Sequence, residues 1–283
     1  MTSASIARPA VRRRRGRRTR TPVFRARWPS LRRALIAFLA APLAIRLLVA
    51  TAALVLVWAA VNWMYQVVRK PTELFFPVSS VLAKPPHETW RRYRPLFVEH
   101  STPVITPELL AALAQVEGAG NPVARTYWRW TATWNPMEVY RPASSAVGMY
   151  QITTATFADA KRYCIHDHVV VEAGRWSDLR SCWFNDAYTR VVPSHAIEMT
   201  AALLDHRVAT ILAARRIDTA TLGQKQDLAA VVHLCGAGAG DAYARRGFRL
   251  LASQRCGDHD VSRYLASINA LKRRFAGLAN RAS

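Results

Sequence analysis

Acidic residues are scarce in this chain and unevenly placed. Its 283 residues hold 18 Asp and Glu against 40 Lys and Arg, a formal net charge of +22. Residues 1–33 contain twelve Arg and no acid, so the excess falls to +10 once those twelve are set aside. That distribution argues against a nucleic-acid-binding domain, because no aromatic residues interleave with Arg12–Arg20 and no nucleic-acid fold motif accompanies them. It fits a topogenic tail drawn to anionic lipid at about 1 kcal/mol per basic residue. Cysteine is also sparse, with four in all. No Cys-x-x-Cys or His-x-x-x-His pair is present to hold a structural metal. His166-Asp167-His168, between Cys164 and Cys182, reads more simply as a polar loop stapled by a disulfide. Neither a metal nor a cofactor is expected. Strand-like alternation is nearly missing too, apart from a small hairpin between Glu117 and Gly148.

An apolar run stands out against this background. Leu47–Met64 gives eighteen residues without a charge, near the roughly 20 that cross a bilayer. The membrane segment is placed within 34–66, with the span itself at about 44–66. Arg46 then lies near one interface, and Trp58, Trp63 and Tyr65 lie towards the other. The Arg-rich leader predicts residues 1–33 inside and the bulk of the chain outside, as a single-pass protein of the inner (cytoplasmic) membrane with a periplasmic domain. All four cysteines follow the span, where oxidation is allowed. Three pairings are open; the local one, Cys164–Cys182 with Cys235–Cys256, is favoured because each bond closes a short loop. The six prolines at 71, 77, 85, 86, 95 and 103 predict an extended stem over 67–103.

The remainder, 104–277, reads as mainly helical, followed by a short tail over 278–283. Thr106-Pro107-Glu108 has the order of an N-cap, a first-turn proline and a dipole-favoured acid. Thr153 or Thr154 opens a second helix. A third begins at Ser194 and buries Ile197, Ala201, Leu204, Val208 and Ile211 at spacings of four and three. Leu228, Val231 and Val232 repeat the stripe, as do Val261, Leu265, Ile268 and Leu271.

Four segments in order then carry a resemblance. Leu109–Pro122 reads LLAALAQVEGAGNP, an apolar helix ending in Glu117 with Asn-Pro soon after. Gly148-Met149-Tyr150-Gln151 leads a threonine-rich helix start. Cys235-Gly236-Ala237-Gly238-Ala239-Gly240 is a glycine-rich corner, and Asp260 precedes Tyr264 by four positions. Over roughly 105–275 the chain resembles the soluble-type (SLT) lytic transglycosylases of the lysozyme-like superfamily. The resemblance implies a mainly α, lysozyme-like α+β domain behind one transmembrane helix. It also implies cleavage of the β-1,4 bond between N-acetylmuramic acid and N-acetylglucosamine in peptidoglycan, closing a 1,6-anhydro ring.

In that reading Glu117 is the single acid and base, and an apolar neighbourhood suits a carboxyl to such work. Tyr264 would orient it, while Gly148, Met149, Tyr150 and Gln151 would line the sugar site. Trp128 and Trp130, with Tyr127, Trp134 and Tyr140, lie in an insertion that is either a sugar platform or the packing of a hairpin. Three positions depart from the family pattern: Gly118 replaces a serine, and Cys235 and Gly236 replace a tyrosine and an asparagine. His233 lies close to these in the chain. Two other readings stay open. One is a goose-type lysozyme that uses water, with Glu138 as the one available second carboxylate. The other is a non-catalytic scaffold holding glycan strands. The implied partners are peptidoglycan strands, the membrane through one helix, and an envelope protein complex.

Overall fold

The structure, a computed structural model, describes residues 31–75, 79–174, 177–178 and 181–281. The Arg-rich tail therefore falls outside the described residues except for its last three. The chain divides into two compact units, 1–57 and 58–283. Within the first, α1 (Leu31–Ala40) ends at Ala41-Pro42 and α2 (Leu43–Arg69) begins. Proline at that junction lacks the N–H needed to continue one helix, so the apolar stretch is two helices. α2, with 27 residues and a peak mean hydropathy of 2.3, is the one helix among the described residues long and apolar enough to cross a membrane.

The second unit starts at Trp58, partway along α2. Next come short 3-10 turns at Pro71–Phe75 and Ser79–Leu82, then α3 (Pro86–Glu99) and α4 (Pro107–Gly118). A hairpin of β1 (Trp128–Trp130) and β2 (Tyr140–Pro142) precedes α5 (Thr154–Ala160) and a second hairpin, β3 (Tyr163–His166) and β4 (Val169–Glu172). The long α6 (Pro193–Arg215), α7 (Leu222–Cys235) and α8 (Ala237–Arg245) follow, then the two-residue strands β5 (Arg255–Cys256) and β6 (His259–Asp260), and finally α9 (Val261–Ala279). The fold is mainly helical, with strands only as three antiparallel pairs among the described residues.

The core forms where α4 packs on α3 and α9, with α7 against α6 and α9. Leu109, Leu110 and Leu113 of α4 are fully buried with Ile197, Leu228 and Ile268. The stripes expected on α6, α7 and α9 are buried, with Leu271 packed at the edge. Thr221 and Gln224 form a reciprocal capping box at the start of α7. The Thr153 side chain caps α5. Thr106 sits at the N-cap position of α4 without capping it, since its hydroxyl accepts from Gln226 Nε2 at 3.3 Å instead.

Residues 86–99 correct the extended stem. Pro86 occupies the first turn of α3, where a missing N–H costs nothing, and Pro95 is carried inside the helix. An interior proline costs about 3 kcal/mol. Trp90, Tyr93 and Phe97, spaced by three and four, offset this by burying their rings; Trp90 stacks on Phe275 at 5.5 Å. The stretch thus belongs to the core. α9 continues to Ala279.

The local cysteine pairing is the one formed: Cys164 with Cys182 and Cys235 with Cys256, each with a Cα–Cα distance of 5.5 Å. The helix with the span and the paired cysteines together fit a membrane-anchored protein of an oxidising compartment.

Candidate functional site

α4 delivers Glu117 at its C-terminal end, where Ala119 turns left-handed and stops the helix. α9 crosses α4 and brings Tyr264 onto it, after Asp260 caps α9 by accepting from the Arg263 N–H at 2.8 Å. The Tyr264 hydroxyl donates to Glu117 Oε1 at 2.6 Å, across 147 positions of sequence. Burial, and secondarily the charge of Glu117, push the Tyr264 phenol well above its ordinary value. It therefore stays a proton donor throughout the neutral range. From α7, His233 places Nε2 3.6 Å from the same Glu117 oxygen. Glu117 retains 16% side-chain exposure and His233 12%, so both are sheltered yet reachable.

A cavity of about 230 Å³ opens beside His233, bounded by Gln151, Thr153, Thr156, Thr200 and Arg207. Glu117 does not line it, but His233 bridges the two. Threonine hydroxyls and a guanidinium over an apolar floor of Met199 and Leu203 suit a hydroxylated ring with an apolar face. Arg207 is also paired with Asp159 across the α5–α6 contact.

The Gly148–Gln151 turn does different work from that expected. Gly148 has φ +82, and a Cβ there would run into the Arg190 carbonyl oxygen. Met149 and Tyr150 are fully buried, with the Tyr150 hydroxyl donating to Leu110 O at 3.1 Å. Their side chains brace α4 and cannot line a sugar site. Gln151 Nε2 donates to Gly148 O at 2.9 Å and Ala124 O at 3.2 Å, so that nitrogen is spent on backbone carbonyls. Gln151 nevertheless borders the cavity.

Gly118 has a steric explanation. A Cβ on it would lie 2.8 Å from the Met149 Cα and 3.0 Å from the Met149 carbonyl oxygen. The departures at 235 and 236 form a corner: Cys235 ends α7 in its disulfide, and Gly236 turns with φ +84 into α8.

Trp128 and Trp130 are brought together with α2 rather than with Glu117's partners. Trp130 stacks on Trp58 at 6.2 Å and lies tilted against Tyr140 at 4.7 Å, and Trp128 Nε1 donates to Glu73 Oε2 at 2.9 Å. Of the two readings of that insertion, packing is the one these contacts fit. Glu138 is held by Arg69 at 2.6 Å and Arg141 at 3.4 Å on the same hairpin. Those ion pairs leave little for a second catalytic carboxylate to do. His168, in the polar loop, forms the β3–β4 turn with Asp167 and places Nδ1 2.8 Å from Ser101 O.

No family model, curated protein or solved structure matches the chain. The site therefore stands on its own geometry. What the sequence alone left unassigned is His233; its spacing from the α7 stripe places it off the core face, but only the crossing of α7 with α4 and α9 brings it to Glu117.

Proposed function

We propose that this chain is a membrane-anchored lytic transglycosylase of the lysozyme-like superfamily, acting on peptidoglycan from the periplasmic side. The observation that carries the reading is the 2.6 Å bond from Tyr264 to Glu117, which joins the first and last of the four family-like segments at the end of a buried helix. The motif order, the helical context and the adjoining polar cavity support it.

In this reading Glu117, protonated, donates to the glycosidic oxygen between the muramoyl and glucosaminyl rings. The C1–O bond breaks as positive charge develops at C1, and the muramoyl N-acetyl group shields that centre. The Glu117 carboxylate then takes the proton of the muramoyl 6-hydroxyl as its oxygen bonds to C1, closing the anhydro ring. Tyr264 holds one carboxyl oxygen throughout, leaving the other to move the proton. No second carboxylate is needed, which agrees with the engagement of Glu138 by two arginines. Incubating purified peptidoglycan with the full chain in detergent and with Glu117→Gln tests the reading: soluble muropeptides are expected from the first, and a loss of at least about a hundredfold in the second.

A further inference from the structure

The β1–β2 hairpin grips the membrane helix in a way that assigns its tip a place. Trp58 Nε1 donates to Pro136 O at 3.1 Å, Asn62 Nδ2 to Tyr140 O at 2.7 Å, and Gln66 Nε2 to Met137 O at 2.7 Å. These are three polar groups on the helix that carries the apolar run Leu47–Met64. In lipid each needs a partner, because no water is present to supply one. Eighteen uncharged residues only just reach the length of a span, so the level of Trp58 and Asn62 cannot be withdrawn from the bilayer without leaving the rest too short. The hairpin must accompany them.

The distances agree. Arg69, paired with Glu138 at 2.6 Å, marks a headgroup level with exposed charge. Trp58 lies eleven residues earlier on α2, about 16 Å along the axis, so a tip held there passes a headgroup layer of roughly 6 Å and reaches the headgroup and acyl-chain boundary. The hairpin segment that reaches Trp58 through Trp130 and Pro136 is Trp130–Met137, eight residues without a charge between Arg129 and Glu138. Trp134 is fully exposed and Trp130 mostly so, as befits rings at a lipid interface rather than in water. Its backbone is partly closed on itself: the Thr131 N–H reaches Val139 O at 2.8 Å, the Glu138 N–H reaches Asn135 O at 2.9 Å, and the Met137 N–H reaches Asn135 Oδ1 at 3.0 Å.

We infer that the tip of the β1–β2 hairpin, led by Trp130 and Trp134, is a membrane-embedded wedge, bound to the acyl-chain and headgroup boundary of the outer leaflet beside α2. The chain thus holds the bilayer by a helix and a hairpin. The occupant of this surface is lipid; a protein or glycan partner would leave the tip in water when the chain is alone in a membrane.

Among the described residues no cysteine is free, so Trp134→Cys in the full chain introduces a single reactive thiol at a side chain that packs on nothing. The test is to label it with an environment-sensitive fluorophore in lipid vesicles, beside Ala132→Cys on the same tip and Ala276→Cys on the exposed side of α9. Labels at 134 and 132 are expected to emit blue-shifted, to be quenched by nitroxide-bearing lipid, and to lose most of the iodide quenching seen at 276. Red-shifted labels at both positions, quenched by iodide as strongly as at 276, would overturn the inference. If the chain still resists carbonate extraction in that case, the helical anchor stands and only the wedge is lost.

Discussion

At Tyr264 the hydroxyl has one partner and one use. Removing it as Tyr264→Phe deletes the 2.6 Å bond to Glu117 while keeping the ring that packs α9 on α4. A carboxyl free to rotate is a poorly aimed acid, so glycan cleavage should fall about ten- to a hundredfold. The melting temperature should change far less than the rate. Gly118 makes a converse prediction. Introducing a serine as Gly118→Ser puts a Cβ 2.8 Å from the Met149 backbone, where neither side can yield without moving the turn. A loss of about 1–3 kcal/mol is expected in thermal or denaturant unfolding, with no gain in cleavage. At this scale the contact between Glu117 and Tyr264 was legible in the sequence. The placement of Met149 and Tyr150 was not, because a motif position does not say which way a side chain points.

Among the elements, the disulfide at the end of α7 joins two parts of the site. Cys235 is two residues beyond His233, and Cys256 lies in β5, just ahead of the Asp260 cap of α9. Paired Cys235→Ser and Cys256→Ser changes should cost about 3 kcal/mol. A reducing agent should lower cleavage through misplacement of α9 even below the melting temperature, which an activity assay with and without dithiothreitol measures. At the C-cap of α3, burial lowers the affinity of His100 for a proton despite Glu198 at 3.9 Å. The unfolded chain then binds more protons at that residue than the folded one. Its contribution is complete above the ordinary histidine value of about 6.5 and is lost as the pH falls below it. The drop in melting temperature between pH 7.5 and 5 should therefore shrink in His100→Gln. α3 itself was legible and misread. The spacing of Trp90, Tyr93 and Phe97 is helical, but the prolines drew attention, although one of them sits where helices welcome it. The β3–β4 hairpin was hidden for a different reason: its two turn residues, Asp167 and His168, have φ of 50° and 64° without the glycine that usually announces such a turn.

Across the second unit, from Trp58 onward, the contacts that matter most join residues 70 to 150 positions apart: Trp58 to Pro136, Asn62 to Tyr140, Glu117 to Tyr264. Periodicity reports the face of a helix and not the helix that will cover it. The stripes of α6, α7 and α9 could thus be read while the docking of the hairpin on α2 could not. The central claim is that Glu117 alone, positioned by Tyr264, turns a glycan strand upon itself. Mass spectrometry of the muropeptides released from purified peptidoglycan tests it most directly, with the full chain run beside Glu117→Gln. Products ending in 1,6-anhydromuramoyl rings, lost in the variant, are the predicted result. Reducing ends, or anhydro products undiminished in Glu117→Gln, would contradict it.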